Sequence, residues 1–379
     1  MPIEIESPEN LGYGRIRYNL TESSMADEPL RPLLEEAAAD LDRAALEYSD
    51  HCGNAELREL IASDTPGATA DDVLLTSGAA GALFIVATSL LEPGDHLVVA
   101  RPNYGSNIET PRAIGCDIAY LDLTFEDGYR VDPERIAALM TPQTRLVSLT
   151  CPHNPTGTMM DEATLRRIVA LVEERGAHGA GARAPRGARL LLDETYRDMT
   201  YGDPLPVAAG LGQGATSVSS LSKTYGMPGL RTGWIVCRDR DLMETFLAAK
   251  EQISLADSVV DQALALAACR RRRERLDVVR ATIARRLAIV REWVAGQGEL
   301  EWVEPGGGVV CFPRIRPEIE VDVDRFYGIL NERYGTYVGP GHWFEQPRRQ
   351  MRIGFGWPTE DDLREGLANV SRAVREAQA

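Results

Sequence analysis

Between about residues 70 and 240 the chain alternates short apolar runs with helical patterns, and few architectures tolerate that order. DDVLLTSG (71–78), HLVVARP (96–102), CDIAYLDL (116–123), RLVSLTCP (145–152), ARLLLDETY (188–196) and GWIVCRD (233–239) read as strands. AAGALFIVATSLL, DPERIAALM and DEATLRRIVALVEERG, lying between several of them, carry helical periodicity. The strand runs are apolar at consecutive positions, so both of their faces are buried. Buried strands joined by helical crossovers predict a mostly parallel sheet with helices on either side, a three-layer α/β/α unit.

Outside that span the pattern changes. Residues 240–297 are strongly helical and include CRRRRERLDVVRATIARRLAIV, where Arg270–Arg273 read as a solvated helix face. Residues 298–379 alternate again, with strands near WVEPGGGVVCF and QMRIGFG and a last helix from Thr359. A chain of 379 residues suits two cores. The expected division is a large domain over 45–270 and a smaller α+β domain built from 1–44 and 271–379. The stretch AHGAGARAPRGA (177–188) reads as an exposed, mobile insertion.

Charge and cysteine usage narrow the function classes. A formal charge of -16 disfavours nucleic acid and anionic membrane as partners, since both are polyanions. No apolar stretch reaches the roughly 18–20 residues a membrane span needs, and the acidic start MPIEIESPEN has no signal-peptide pattern. The six cysteines are scattered without a CxxC pair, which predicts reduced thiols in the cytoplasm and neither a disulfide framework nor a metal site.

Ligands of open α/β sheets sit beyond the carboxyl ends of the strands, and four such ends carry chemistry. In TSGAAGAL (76–83) small residues open a helix, which lets backbone N–H groups approach a phosphate; an ordinary strand-to-helix turn needs the same residues. In TCPHNPTGT (150–158) Asn154 lies between His153 and Pro155, held by Pro and Gly on either side, either as a rigid ligand-binding amide or as a plain turn. In LLLDETY (190–196) three leucines deliver Asp193 to a strand end, as a helix cap or as the partner of a buried cation. The fourth is SSLSKTYGMPGLRT (219–232), where Ser220 and Ser222 flank Lys223 and Arg231 follows a Gly-Met-Pro-Gly turn.

Lys223 stands out because the chain has 41 Lys+Arg and only two of them, Lys223 and Lys250, are lysines. An amine forms a Schiff base with an aldehyde and a guanidinium does not, whereas Arg231 suits a purely electrostatic task. A phosphate cup, a hydroxyl-binding amide, a carboxylate for a ring nitrogen and an imine-forming amine together describe a site for pyridoxal 5′-phosphate. The series YSDHCG…LR, TSGAAGAL, RPNYG, HNPTG, LLDETY, SLSKTYGMPGLRTG and MRIGFGW resembles, in order and over roughly 15–370, the class I/II aminotransferase family of fold-type-I pyridoxal-phosphate enzymes.

That resemblance implies roles residue by residue. Lys223 would bind the cofactor as a Schiff base and carry the proton between the substrate Cα and the cofactor; Asp193 would pair with the ring nitrogen. Asn154 and Tyr196 would bind the ring oxygen and lower the pKa at the Lys223 nitrogen, and Tyr104 would stack on the ring. Ser220, Ser222 and Arg231, with backbone groups of Gly78, Ala79 and Ala80, would hold the phosphate. Tyr48 would reach the phosphate of a second copy, making a homodimer with shared sites. Arg352 would fork the substrate carboxylate and so choose the bond that breaks.

Departures from the family bear on substrate. Ala79 and Ala80 replace polar side chains in the phosphate cup, and NLTESSMADEPL (19–30) stands where the family has a Gly-x-Pro segment. Glu22, Ser23 and Ser24 then face the pocket, with Glu22 favouring a basic substrate, or Glu22 is simply solvated. His342, Trp343 and Phe344 suggest a partly aromatic wall, and no second arginine is evident for a dicarboxylate. The leading expectation is an aminotransferase acting on an amino acid and a 2-oxo acid. Its rivals are a lyase or cyclase acting on an unusual, basic amino acid, and a non-catalytic cofactor-binding regulator.

Overall fold

The computed structural model describes Pro8, residues 12–178 and residues 187–378. Most of the expected 177–188 insertion, residues 179–186, lies outside the described residues. Strand β1 (Tyr18–Leu20) comes first; β2 (Val73–Ser77), β3 (His96–Arg101), β4 (Asp117–Asp122), β5 (Thr144–Thr150), β6 (Arg189–Asp193), β7 (Ala215–Ser220) and β8 (Thr232–Cys237) follow. The last seven form one sheet in the order β2-β8-β7-β6-β5-β3-β4. β8 runs antiparallel to β2 and β7, and the remaining ladders are parallel.

The two-residue period of the strands sorts their side chains into two cores. Leu97 and Val99 of β3 pack with Leu146, Leu191, Val218 and the helix Gly78–Leu90 on one face. Their neighbours Val98 and Ala100 pack with Val147, Leu190 and Leu192 against Leu165, Ile168 and Val172 of the helix Glu162–His178 on the other. Consecutive apolar residues in sequence are therefore two buried faces in space. Each fully buried aliphatic side chain here contributes about 1.5–3 kcal/mol relative to exposure.

Two elements differ from the sequence reading. β7 is ATSVSS, too polar to read as a strand, yet Thr216, Ser217, Val218 and Ser220 are all buried between β6 and β8. The ladder satisfies the backbone there, and small side chains leave room in the sheet's middle. The helix Ser106–Ile114 carries Pro111 in its interior, which hides it from a propensity argument; it ends on Gly115 at φ +92°, a left-handed position that glycine takes without strain.

The second sheet is small. β9 (Leu300–Glu301) pairs with β11 (Arg314–Ile315), while β10 (Val310–Cys311), β12 (Thr336–Pro340) and β13 (Met351–Gly354) join β1 in the order β1-β12-β13-β10. Its core unites Leu20, Val338 and Ile353 with Leu363, Leu367, Val370 and Val374 of the helix Glu360–Glu376. That helix starts where the sequence places it: Thr359 caps it through its side chain, accepting from Asp362 N. By contrast, Leu33 and Ala37 share a core with Leu264 and Leu266, beside the large sheet.

The arginines at 270–272 are more than a solvated face. Arg270 binds Asp40 and Glu56, Arg271 binds Glu36 and Glu274, and Arg272 binds Asp64. Exposed pairs of this kind are worth at most about 1 kcal/mol each, so they tune how the helices meet and do not drive it. Among the described residues no helix is long and apolar enough to cross a membrane.

Candidate active site

Five strands that run in one direction, β2, β3, β5, β6 and β7, end at the same edge of the large sheet, and each delivers part of one site. β2 ends at Ser77 and passes directly into the helix that begins at Gly78. β3 leads to Tyr104, β5 to Asn154, β6 to Asp193 and Tyr196, and β7 to Ser220 and Lys223. A cavity of about 130 Å³ lies there. Its lining includes Ala79, Ala80, Tyr104, Asn154, Asp193 and Tyr196 on one part, and Ser220, Ser222, Lys223, Arg231 and Arg352 on the other. Leu83 and Thr195 complete it, two residues the sequence did not single out.

Asp193 is 5 % exposed at the base of the cavity. Thr195 donates to it twice, from its backbone N (3.0 Å) and its hydroxyl (2.6 Å). Burial pushes the Asp193 carboxyl above its usual range; the Thr195 bonds, a bond from Asn107 and the charge of Lys223 pull the other way. Burial likewise raises the Tyr196 phenol to about 12, opposed by the charge of Arg352 and a hydrogen bond with Ser23.

The Asn154 loop is braced from behind. Burial lowers His153 to about 4, so its ring is neutral. The Pro102 carbonyl can only accept, so Nε2–H donates to it (2.9 Å) and Nδ1 accepts from the Thr156 hydroxyl (2.7 Å). Asn103 adds a second brace: its Oδ1 accepts from Tyr104 N (2.7 Å), from Asn107 (3.1 Å) and from the Thr150 hydroxyl (2.9 Å). The segments bearing Tyr104 and Asn154 are thus held as one body. Asn103 and His153 stood inside the quoted motifs, but nothing in their spacing announced a bracing role.

Arg231 takes a left-handed backbone (φ +49°), rare for a residue with a side chain, and turns its guanidinium back toward the start of the helix. Nη1 donates to the Pro228 carbonyl (3.0 Å) and Nη2 to that of Ser77 (3.5 Å). Gly78 (φ +75°) leaves the space for it, since a Cβ there would lie 2.5 Å from Nη2. Arg352 comes from β13 in the small sheet. It donates to Asn154 Oδ1 (3.0 Å) and to the Thr21 carbonyl (2.8 Å), and its guanidinium lies over the Phe344 ring, 4.9 Å from the centroid.

The remaining expected residues lie elsewhere. Tyr48 is 82 % exposed and outside the lining. Glu22 is half-buried, with its carboxylate 3.5 Å from Asn19 Nδ2, and Ser24 is buried; the lining includes neither. Of that segment it is the backbone that touches the site: the Thr21 carbonyl accepts from Arg352 and Met25 N donates to the Lys223 carbonyl. The expected aromatic wall is displaced too: Phe344 backs Arg352, and Trp343 lines a separate cavity with Tyr337 and Pro340.

A family profile described as "Aminotransferase class I and II" matches residues 10–370. The chain is 32 % identical to capreomycidine synthase of Streptomyces vinaceus, over 88 % of this chain and 82 % of that one. It is 29 % identical to the arginine–pyruvate transaminase AruH of Pseudomonas aeruginosa, over 91 % and 84 % of the two chains. The solved structure of a PLP-dependent cyclase, OrfR, superposes with a TM-score of 0.83 at 31 % identity, covering 99 % of each chain.

Proposed function

The chain belongs to the class I and II aminotransferase family, and on that premise we propose that it transfers the α-amino group of an amino acid to a 2-oxo acid, with Lys223 bonding the cofactor. The cofactor of the family, and of this chain, is pyridoxal phosphate. The residues present fit that group. Gly78 and Arg231 form a cradle that a single Cβ would fill, suited to a phosphate, and the buried Asp193 gains from a cation set against it. Bound pyridoxal phosphate supplies an electron sink that stabilises negative charge at the substrate Cα.

The chain's own groups do the rest. Asp193 holds the ring nitrogen in its charged form. Asn154 and Tyr196 bind the ring oxygen, Tyr104 covers the ring, and Ser220, Ser222 and Arg231 hold the phosphate with the backbone of Gly78, Ala79 and Ala80. Arg352 binds the substrate carboxylate and orients Cα, and the Lys223 amine removes and returns the proton there. One observation carries this reading: Lys223, Asp193 and Arg352, from three distant parts of the sequence, line one cavity.

We read the active form as a cytoplasmic homodimer in which the exposed Tyr48 reaches the partner's phosphate site. The six unpaired thiols support the reducing compartment. In this reading residues 45–270 form the cofactor domain and 1–44 with 271–379 the small domain that bears Arg352, although Leu33 and Ala37 of the first segment pack beside the large sheet. A second reading, a lyase or cyclase acting on a basic amino acid, is supported by the names of two relatives at 31–32 % identity and by the arginine in the name of a third.

The test uses the purified protein and single amino acids, arginine among them, with no 2-oxo acid added. Stoichiometric conversion of the cofactor to its amine form, absent in Lys223→Ala, supports transamination. Catalytic release of ammonia or of a cyclised product from one amino acid overturns it in favour of the second reading.

A further inference from the structure

Glu345 takes a left-handed backbone (φ +55°), where a glycine would sit without strain, yet a charged side chain stands there. It follows the turn Gly341–Phe344, which Glu345 N closes onto the His342 carbonyl (3.2 Å) and Gln346 N onto that of Gly341 (3.0 Å). The turn joins β12 to β13 of the small sheet, and from it the Glu345 carboxylate reaches the large one. Oε1 lies 2.8 Å from Arg112 Nη2 and Oε2 lies 3.6 Å from Arg101 Nη1. Both guanidiniums are fixed by other groups as well. Arg101 Nε donates to Asp122 (2.7 Å), with its guanidinium 4.2 Å from the Tyr120 ring centroid. Arg112 donates to the Tyr120 hydroxyl (3.0 Å) and pairs with Glu109.

These two arginines flank Tyr104 in the chain: Arg101 ends β3 just before it, and Arg112 lies in the helix Ser106–Ile114 that opens just after it. Beside Glu345, the Phe344 ring is buried in the core that holds Val98 and Ala100 of β3, edge-on to Phe312 with centroids 5.7 Å apart. The Arg352 guanidinium rests on that ring, 4.9 Å from its centroid. One carboxylate thus ties the bed of Arg352 to both elements that carry Tyr104.

We infer that Glu345 is a positioning residue: by holding Arg101 and Arg112 it fixes Phe344 beneath the Arg352 guanidinium, and so sets where a substrate carboxylate is held relative to the Tyr104 ring. The inference rests on the reading of the site given above. A lone exposed ion pair contributes little, partly because two long side chains must be immobilised. Here the two guanidiniums are already anchored, so their pairing with Glu345 orders little else. Glu345 is outside the cavity lining, and its substitution reaches the site only through Phe344 and Arg352.

The experiment titrates the holoenzyme with propionate, a carboxylate with no amine to react, and follows the cofactor's visible absorbance. Wild type, Glu345→Gln, Glu345→Gly, Arg112→Gln and the Glu345→Gln, Arg112→Gln double variant are compared. Both Glu345 variants are expected to raise the propionate dissociation constant roughly 3–10-fold, as for the loss of a small ion-pair network. Arg112→Gln shifts it less, and the double variant shifts it no further than Glu345→Gln, because the two groups act through one contact. The dissociation constant of pyridoxal phosphate stays unchanged in all of them. Glu345→Gly relieves the left-handed backbone and is expected to unfold in urea no earlier than wild type; a merely structural role would lower stability and propionate binding together. Unchanged propionate binding, additive losses or a parallel loss of cofactor overturns the role of Glu345 alone. A wild type whose absorbance ignores propionate, or responds equally after Arg352→Gln, overturns it together with the reading beneath it.

Discussion

Lys250 Nζ lies 2.5 Å from Asp257 Oδ2 and 2.6 Å from the His51 carbonyl, with no part of its side chain exposed. The chain's only lysine besides Lys223 is therefore also sequestered. It ties the end of the helix Arg240–Ile253 to the turn after Tyr48, where Gln262 further links Ser49 and Asn54. The compact ammonium fits between carboxylate and carbonyl; a planar guanidinium needs a wider, forked space.

Replacing Lys250 with Met keeps the volume but leaves Asp257 desolvated and unpaired. Unfolding of the apoprotein in urea is expected to show a loss of roughly 3 kcal/mol. Lys250→Met with Asp257→Leu is expected to recover most of it, because the cost arises from the stranded charge. Equal losses in the single and double variants would contradict that account.

Glu194 adjoins Asp193 and accepts from Ala208 N (2.8 Å) and the Ser217 hydroxyl (3.1 Å). Burial raises it to about 7 against an ordinary 4.5. The folded chain thus binds a proton more tightly than the unfolded one. The stability this contributes is full below about pH 4.5 and lost as pH rises through about 7, a change of roughly 3 kcal/mol. Glu194→Gln, which stays neutral, is expected to gain on wild type by that amount across the window in urea titrations at several pH values. Parallel curves would exclude it.

Gly78→Ala places a Cβ 2.5 Å from the Arg231 guanidinium on a backbone at φ +75°. The guanidinium must leave the cup, and the cofactor dissociation constant is expected to rise roughly 10–100-fold, as for a lost charge-assisted hydrogen bond. Gly94→Ala, at φ +86° with nothing within 4 Å, carries similar backbone strain and is expected to leave that constant unchanged. Absorbance titration of both apoproteins with pyridoxal phosphate decides it.

The parts of the fold that were legible are those where burial is written in side chains. The leucines of β6 and the valines of β3 are apolar because both sheet faces are covered. β7 escaped because its burial rests on backbone pairing around small polar residues, and the helix Ser106–Ile114 because Pro111 sits inside it. In the site, the groups on strand ends were readable since the strand fixes where its last residue points. Asn107 was not: its meaning comes from Asp193, far away in the chain, and no local pattern encodes such a partner.

In the proposed reading, the bond from Arg352 to Asn154 couples recognition of a substrate to the seating of the ring. A lineage acquiring a new amino acid cannot slide Arg352 along β13 without also disturbing the amide beside the cofactor. Diversification is thereby steered to neighbours free of that double duty, and chains with unlike products can keep the same arginine.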